Sequence, residues 1–171
     1  MIDRTLIDVL NLEANEFAVR WKNLIRKAIH LKHYQKIDDD VLIQAEQPCY
    51  QLLSRTLDRG FDRSQIGEYF VKIGKERMRN GIPISEVIYA VSLAQKVVIE
   101  YLLHEFAPDN HMRMYQSLNA LDKVSEFFLL GSFYMTKGFL EETYTSMSVH
   151  DEISDELLKK YFRDDLFFKK E

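Results

Sequence analysis

Metal or haem chemistry in this chain would have to come from its five histidines. His30 and His33 stand three apart, a spacing that brings two ring nitrogens to one side of a helix and suits a shared metal. No carboxylate lies between Phe17 and Ile37 to complete such a site. The stretch instead holds Arg20, Lys22, Arg26, Lys27, Lys32 and Lys36, cations that favour a helix C-terminus and repel a divalent ion. A solvated basic face and no metal are expected there. His104 shares its helical face with Glu86, Lys96 and Glu100 and is expected to be wet, whereas a haem needs a histidine facing an apolar pocket. His111, at the start of a helix, is the better haem candidate.

Nucleophilic and acid–base chemistry find little support. Cys49 follows Pro48 inside a helix with no histidine near it in sequence, so a small buried thiol is expected. The pairs Glu141-Glu142, Asp151-Glu152, Asp155-Glu156 and Asp164-Asp165 are adjacent, and neighbours on a helix point about 100° apart and cannot act on one bond. No glycine-rich phosphate loop follows a strand. The run His150-Asp151-Glu152-Ile153-Ser154-Asp155-Glu156-Leu157 resembles the phosphoacceptor box of one histidine kinase class, His-Asp-x-Ile-x-x-x-Leu. That box carries an Arg-rich turn before its histidine; here Tyr144-Thr145-Ser146-Met147-Ser148-Val149 precedes it and twenty-one residues follow. An acid-rich first turn of a C-terminal helix is the expectation, with phosphotransfer on His150 as an alternative.

The elements that must hold these residues are helical. In 171 residues there are six glycines, three prolines and 46% hydrophobic residues, which suits one compact domain with a core. Net charge is −4, against a protein whose task is neutralising nucleic-acid phosphates. The single cysteine suits a reducing compartment, and the longest uncharged run, Phe127 to Thr136, has ten residues where a membrane helix needs ~18 to 20. Neither a membrane span nor a secretory signal is expected, and cytoplasm is the expected location.

Apolar residues at Ile7, Leu10, Ala14, Phe17, Trp21, Leu24, Ala28 and Leu31 predict one long helix A. Asp38-Asp39-Asp40 caps helix B, about Asp40 to Arg59, with Pro48 inside it and Gly60 at its end. Asp62 and Gln65 form a capping box for helix C, Arg63 to Asn80, with Gly81 as its C′ residue. Helix D runs from Ser85 through Phe106, with Glu86, Ser92, Gln95, Lys96, Glu100 and His104 on its polar side. After Pro108-Asp109-Asn110 comes helix E, about His111 to Met147. Helix F, Asp151 to Phe168, is capped by Ser148. The expected fold is an all-α bundle of five or six helices, with a globin-like arrangement as one form, over residues 1–147, and with 148–171 as an output linker or interface extension.

Gly67, Gly74 and Gly81 stand seven apart, as do Gly131 and Gly138. A glycine inside a helix costs ~1 kcal/mol against alanine, and close helix approach would compensate, so helix C is expected to lie tight on helix E. The belt from Phe127 to Leu140 is apolar around most of helix E. A dimer interface containing Leu130, Phe133 and Tyr134 would cover it, unless the helix is wholly central. The acid-free stretch Arg20 to Lys36 is expected to face the acidic segment Glu141 to Glu156, within one chain or across a dimer.

Three motifs also resemble a family. Phe17-x-x-x-Trp21-x-x-x-Ile25-Arg26, Phe70-x-x-Ile73-Gly74-x-x-Arg77 and Gly81-Ile82-Pro83-Ile84-Ser85-Glu86-Val87-Ile88-x-Ala90 are similar to the amino-terminal helical sensory domain of RsbR-type stressosome co-antagonists, the RsbRD variety, found also ahead of histidine kinases and transcription regulators. The resemblance covers about Leu6 to Tyr144. It implies a non-catalytic, usually dimeric input module, in the style of a globin without haem, that passes a signal to a kinase, phosphatase or stressosome-type partner. With no output domain before Glu171, a stand-alone regulator or an excised input module is expected. A haem or other small-ligand sensor is the first alternative. No cofactor is expected. Trp21 and Arg77 fall on the motif positions: Trp21 as a core anchor or ligand platform, Arg77 holding the turn into helix D through carbonyl or Glu86 contacts, or binding a ligand carboxylate.

Overall fold

The computed structural model describes residues 4–104, 111–150 and 153–161. Its elements are α1 (Arg4–Leu12), α2 (Ala14–Lys27), a 3₁₀ turn (Tyr34–Lys36), α3 (Asp39–Arg59), α4 (Arg63–Arg79), α5 (Ile84–His104), α6 (His111–Ser148) and α7 (Asp155–Tyr161), with no strand among the described residues. This is the expected all-α bundle. The expected end of helix D at Phe106, the Pro108-Asp109-Asn110 break, Asp151, Glu152 and residues 162–171 lie outside the described residues.

Helix A is two helices. At Glu13 the backbone leaves helical geometry (φ −107°, ψ 21°), and α2 stops at Lys27 because Ala28 turns extended, its N–H still bonded to the carbonyls of Leu24 and Ile25. The apolar stripe keeps its phase across the first break, since Leu10, Ala14, Phe17 and Trp21 are all buried. Leu31 is buried from a turn rather than from a helix. Arg26 fixes that turn, donating to the carbonyls of Tyr34 and Ile37 and to Asp39.

The ends of α3 and α4 follow the sequence closely. Gly60 closes α3 at φ +97°, a conformation costly for any residue with a Cβ. The Asp62 carboxylate accepts from the Gln65 N–H at 3.1 Å and starts α4. At the far end the Ile82 N–H bonds to the Arg77 carbonyl at 3.0 Å and the Gly81 N–H to the Met78 carbonyl at 2.9 Å, with Gly81 at φ +68°. Those two bonds are a Schellman motif, so backbone alone makes the turn. Ser148, expected to cap the last helix, instead ends α6 with its hydroxyl on the Thr145 carbonyl; Ser154 accepts from the Leu157 N–H and caps α7.

α4 lies along α6, as the glycine spacing predicted. A Cβ on Gly74 would sit 2.1 Å from the Met135 carbonyl oxygen, and one on Gly138 would sit 2.1 Å from that of Val71. Either methyl would overlap main chain. A Cβ on Gly131 would meet the Phe70 ring at 2.6 Å. α5, whose length and apolar character would also suit a membrane helix, packs between α2 and α6. α1 and α2 cover α3. Of the predicted core, Phe17, Trp21, Val91, Val98 and Phe128 are buried, and Leu24, Ile73 and Leu121 are partly buried against them.

Within one chain, the acidic end of α6 pairs with α4 rather than with α2. Glu141 pairs with Lys75 at 2.7 Å and Glu142 takes Arg79 at 2.8 Å, both from α4, because the glycine contacts bring α4 alongside first. The cations of α2 are satisfied locally, Lys22 and Arg26 by Asp39 and Arg20 by Glu16.

Trp21 is 2% exposed and its indole N–H donates to the Ala90 carbonyl at 2.9 Å, so Trp21→Ala should cost ~3 to 5 kcal/mol in urea unfolding. Gly138→Ala should cost more than ~3 kcal/mol, since backbone has to move. A Gly138→Ala loss below about 1 kcal/mol would show that the two helices are not in van der Waals contact there.

Candidate functional site

Trp21 and Arg77, the two residues singled out by the motifs, line one internal cavity. Six elements build it. α2 supplies Trp21 and the 3₁₀ turn supplies Tyr34; α3 supplies Glu46 and Cys49, three apart and so on one helix face; α4 supplies Tyr69, Ile73 and Arg77, each four on from the last. Ala90 and Val91 of α5 and Phe128 and Met135 of α6 close it. The enclosed space is about 20 Å³, enough to hold a water molecule.

The wall is mostly apolar, with a polar cluster whose hydrogen bonding is incomplete. Glu46 Oε1 and Arg77 Nε are both buried and have no partner. A buried polar atom left unpaired costs ~1 to 3 kcal/mol, more when charged, so a bundle selected for stability alone would carry an apolar side chain at either position. The Arg77 guanidinium lies over the Tyr34 ring, 5.6 Å from its centroid.

Burial sets the protonation of the cluster. The Glu46 carboxyl is pushed up to about 8 by burial, against the opposing pull of the Arg77 charge and the Cys49 thiol beside it. Glu46 is therefore mostly neutral at pH 7. Tyr34 is pushed up to about 12 by burial, which again outweighs Arg77. The Cys49 thiol rises well above its ordinary range through burial and the neighbouring Glu46, which makes it a poor nucleophile. Tyr50 and Tyr69 are held neutral in the same way.

Arg77 does not contact Glu86 as expected. Glu86, expected on the wet face of helix D, is buried and takes His33 twice: the backbone N–H at 2.9 Å and the ring Nδ1 at 2.7 Å. Burial would raise the Glu86 carboxyl, but its bonds with His33 win and hold it below the usual glutamate range. This pair pins the turn after α2 to the start of α5. His30 is exposed and His33 half-buried, both in that turn rather than on one helix face, so no shared metal site forms between them. Among the described residues no group of three or more histidine, cysteine or acidic side chains is placed to hold a metal.

No histidine lines the cavity, and its volume is far below the ~300 to 1,000 Å³ of a pocket for a drug-sized ligand, so it does not accommodate a haem. His104 is exposed, and the side chain of His111 lies outside the described residues. His150 is exposed in the turn after α6, outside any helix.

Sequence reasoning found two of the polar members, Trp21 and Arg77, weighed Cys49 as a buried thiol, and missed Glu46 and Tyr34. For Glu46 a signal was present. Leu42, Glu46, Cys49, Tyr50, Leu53 and Leu57 form one helical stripe, and a lone acid on it has to be buried or bend the helix away.

A family model for the histidine kinase N-terminal domain matches residues 3–141. The chain belongs to that family, whose match spans every element that lines the cavity. No curated protein and no solved structure matches it.

The Glu46 assignment has a thermodynamic consequence. The unfolded chain ionises this carboxyl near 4.5, while the folded chain keeps it protonated to about 8. Its contribution to stability is thus intact below about pH 4.5 and is lost as pH rises toward about 8, at up to ~1.4 kcal/mol per pH unit. Glu46→Gln removes that titration. Urea unfolding across this range should show the variant gaining on the wild type as pH rises, then holding level; a constant difference would mean an ordinary carboxyl.

Proposed function

We propose that the chain is a non-catalytic input domain of bacterial signalling that dimerises and passes a signal to a partner or output domain. Its membership of a family of histidine kinase N-terminal domains supports the signalling context. The motif resemblance to RsbR-type co-antagonists extends this to a kinase, phosphatase or stressosome-type partner in the cytoplasm. No residue is assigned to catalysis: burial holds the Glu46, Tyr34 and Cys49 groups of the cavity in their neutral forms.

The observation that carries the reading is the double use of α6. Its inner face takes Gly74 of α4, one turn from Arg77, so a displacement of Arg77 reaches α6 through main-chain contact. Its outer face carries Tyr115, Leu118, Leu129 and Phe133, the last two 70% and 59% exposed. These residues recur at helical spacing, interrupted by exposed Asp122 and Glu126. An apolar row of this kind on a 38-residue helix suits a second copy of itself in a symmetric pair. Leu130 and Tyr134, expected in the interface, are half-buried against the chain's own core, whereas Phe133 points outward.

Sedimentation at micromolar concentration should therefore show about twice the 20.3-kDa chain mass. Leu129→Glu with Phe133→Glu, both on the exposed face, should shift the population to monomer with the helical signal intact. A wild type that sediments as a monomer throughout that range contradicts the dimer.

A further inference from the structure

We propose that the cavity between α3 and α4 is a binding site for one small monovalent anion, of the size of chloride or formate, held by Arg77 and Glu46. The proposal rests on the input-domain reading for its biological sense, since it names the ligand class that the input would detect.

Charge decides the class of guest. The Arg77 guanidinium is a cation whose Nε–H is buried beside the cavity without an acceptor. The carboxyl closest to supplying the counter-charge, Glu46, is itself buried with Oε1 unpaired, and burial favours its neutral form. A neutral carboxyl has a proton to donate. The groups that line the cavity from α3 and α4 are then the Glu46 carboxyl, the Cys49 thiol and the Tyr69 hydroxyl, with the Arg77 guanidinium, while the Tyr50 hydroxyl donates to the Ala94 carbonyl. From the 3₁₀ turn comes the Tyr34 hydroxyl. Glu76 and Glu86 act on the tyrosines from further off, and Glu86 is already occupied by His33. α2, α5 and α6 contribute Trp21, Ala90, Val91, Phe128 and Met135, none of them ionisable.

A cavity with one fixed cation and neutral donors, in walls of low dielectric, is complementary to a guest that only accepts hydrogen bonds and carries one negative charge. Its volume, about 20 Å³, excludes large organic anions without rearrangement. A water fits by size and can pair with an orphan atom, but it carries no charge to balance the guanidinium while Glu46 is neutral. The anion does both. Because the anion needs Glu46 protonated, its binding takes up a proton whenever Glu46 begins ionised.

Trp21 is the sole tryptophan of the chain and lines the cavity, so its fluorescence reports occupancy directly. The full chain is titrated with sodium formate, and separately with sodium chloride, at constant ionic strength set with sodium sulfate. Saturable fluorescence changes are expected at pH 7, at least tenfold weaker at pH 9. Arg77→Gln should weaken binding at least tenfold. Glu46→Gln keeps a donor in the same place and should retain binding at pH 7 while losing most of the pH dependence. The proposal is overturned if neither anion gives a saturable change in folded wild type, or if Arg77→Gln, shown folded by circular dichroism, binds as well as wild type. Binding is read within one chain and self-association by sedimentation. Anion binding in a monomer would therefore sink the dimeric input reading and leave this site standing, and a dimer blind to both anions would do the reverse.

Discussion

Main-chain contact between α4 and α6 at Gly74 and Gly138 is the constraint on which the rest of the bundle hangs. Two helices can approach this closely only where neither carries a Cβ, and here each glycine faces a carbonyl of the other helix at a distance no methyl can share. That approach sets the register of every other contact between them. Phe70 slides under Gly131, stacks edge-on to Phe127 and fills the layer below. Above it, Lys75 and Arg79 reach Glu141 and Glu142. The Arg79–Glu142 pair adds little energy, on the order of 0 to 1 kcal/mol, whereas Lys75 answers the charge of a buried Glu141; both pairs favour one register over its neighbours. Arg77 lies between them in sequence but points to the opposite side, over Tyr34 and into the cavity.

The polar cluster is consequently held by rigid elements rather than loops. Arg77 is fixed by α4, whose last turn is closed by the Schellman bonds after it. Tyr34 is fixed by a short turn that Arg26 ties to α2 and that Glu86 ties to α5 through His33. Glu46 sits one turn into an apolar stripe of α3, its stem partly exposed and its carboxyl buried. Such a cluster costs stability wherever its atoms lack partners, and the surrounding core of Phe17, Trp21, Phe70, Phe127 and Phe128 offsets it. The unpaired Glu46 Oε1 and Arg77 Nε stand on two different rigid helices and belong to residues that line the same cavity.

How far the sequence revealed this depends on where the deciding interaction lies. Signals confined to a few residues read correctly: the Asp62–Gln65 cap, the positive-φ glycines at 60 and 81, and the seven-residue glycine spacing that forecast the α4–α6 contact. Signals that depend on a distant partner did not. The end of α2 at Lys27 has no glycine or proline to mark it, and is decided by Arg26 meeting carbonyls eight and eleven residues on. Glu86 read as a solvated acid because its partner, His33, is 53 residues away. The basic stretch of α2 and the acids of α6 looked complementary by charge alone, yet charge is a weak, screened force beside glycine packing, and α4 took the acids. Trp21 and Arg77 were found because their motif marked them, and Tyr34 was hidden in a turn that the apolar stripe suggested was helix.

What occupies the cavity lined by Arg77 and Glu46 decides whether it is an anion site. Crystals grown in sodium bromide and measured above the bromine absorption edge give the most direct view, because the anomalous signal separates a halide from a water. A single strong anomalous peak within hydrogen-bonding distance of Arg77 Nε, on the Glu46 side of the cavity, is the predicted result. An ordered water there with no anomalous signal, at bromide concentrations that label the protein surface elsewhere, would contradict it.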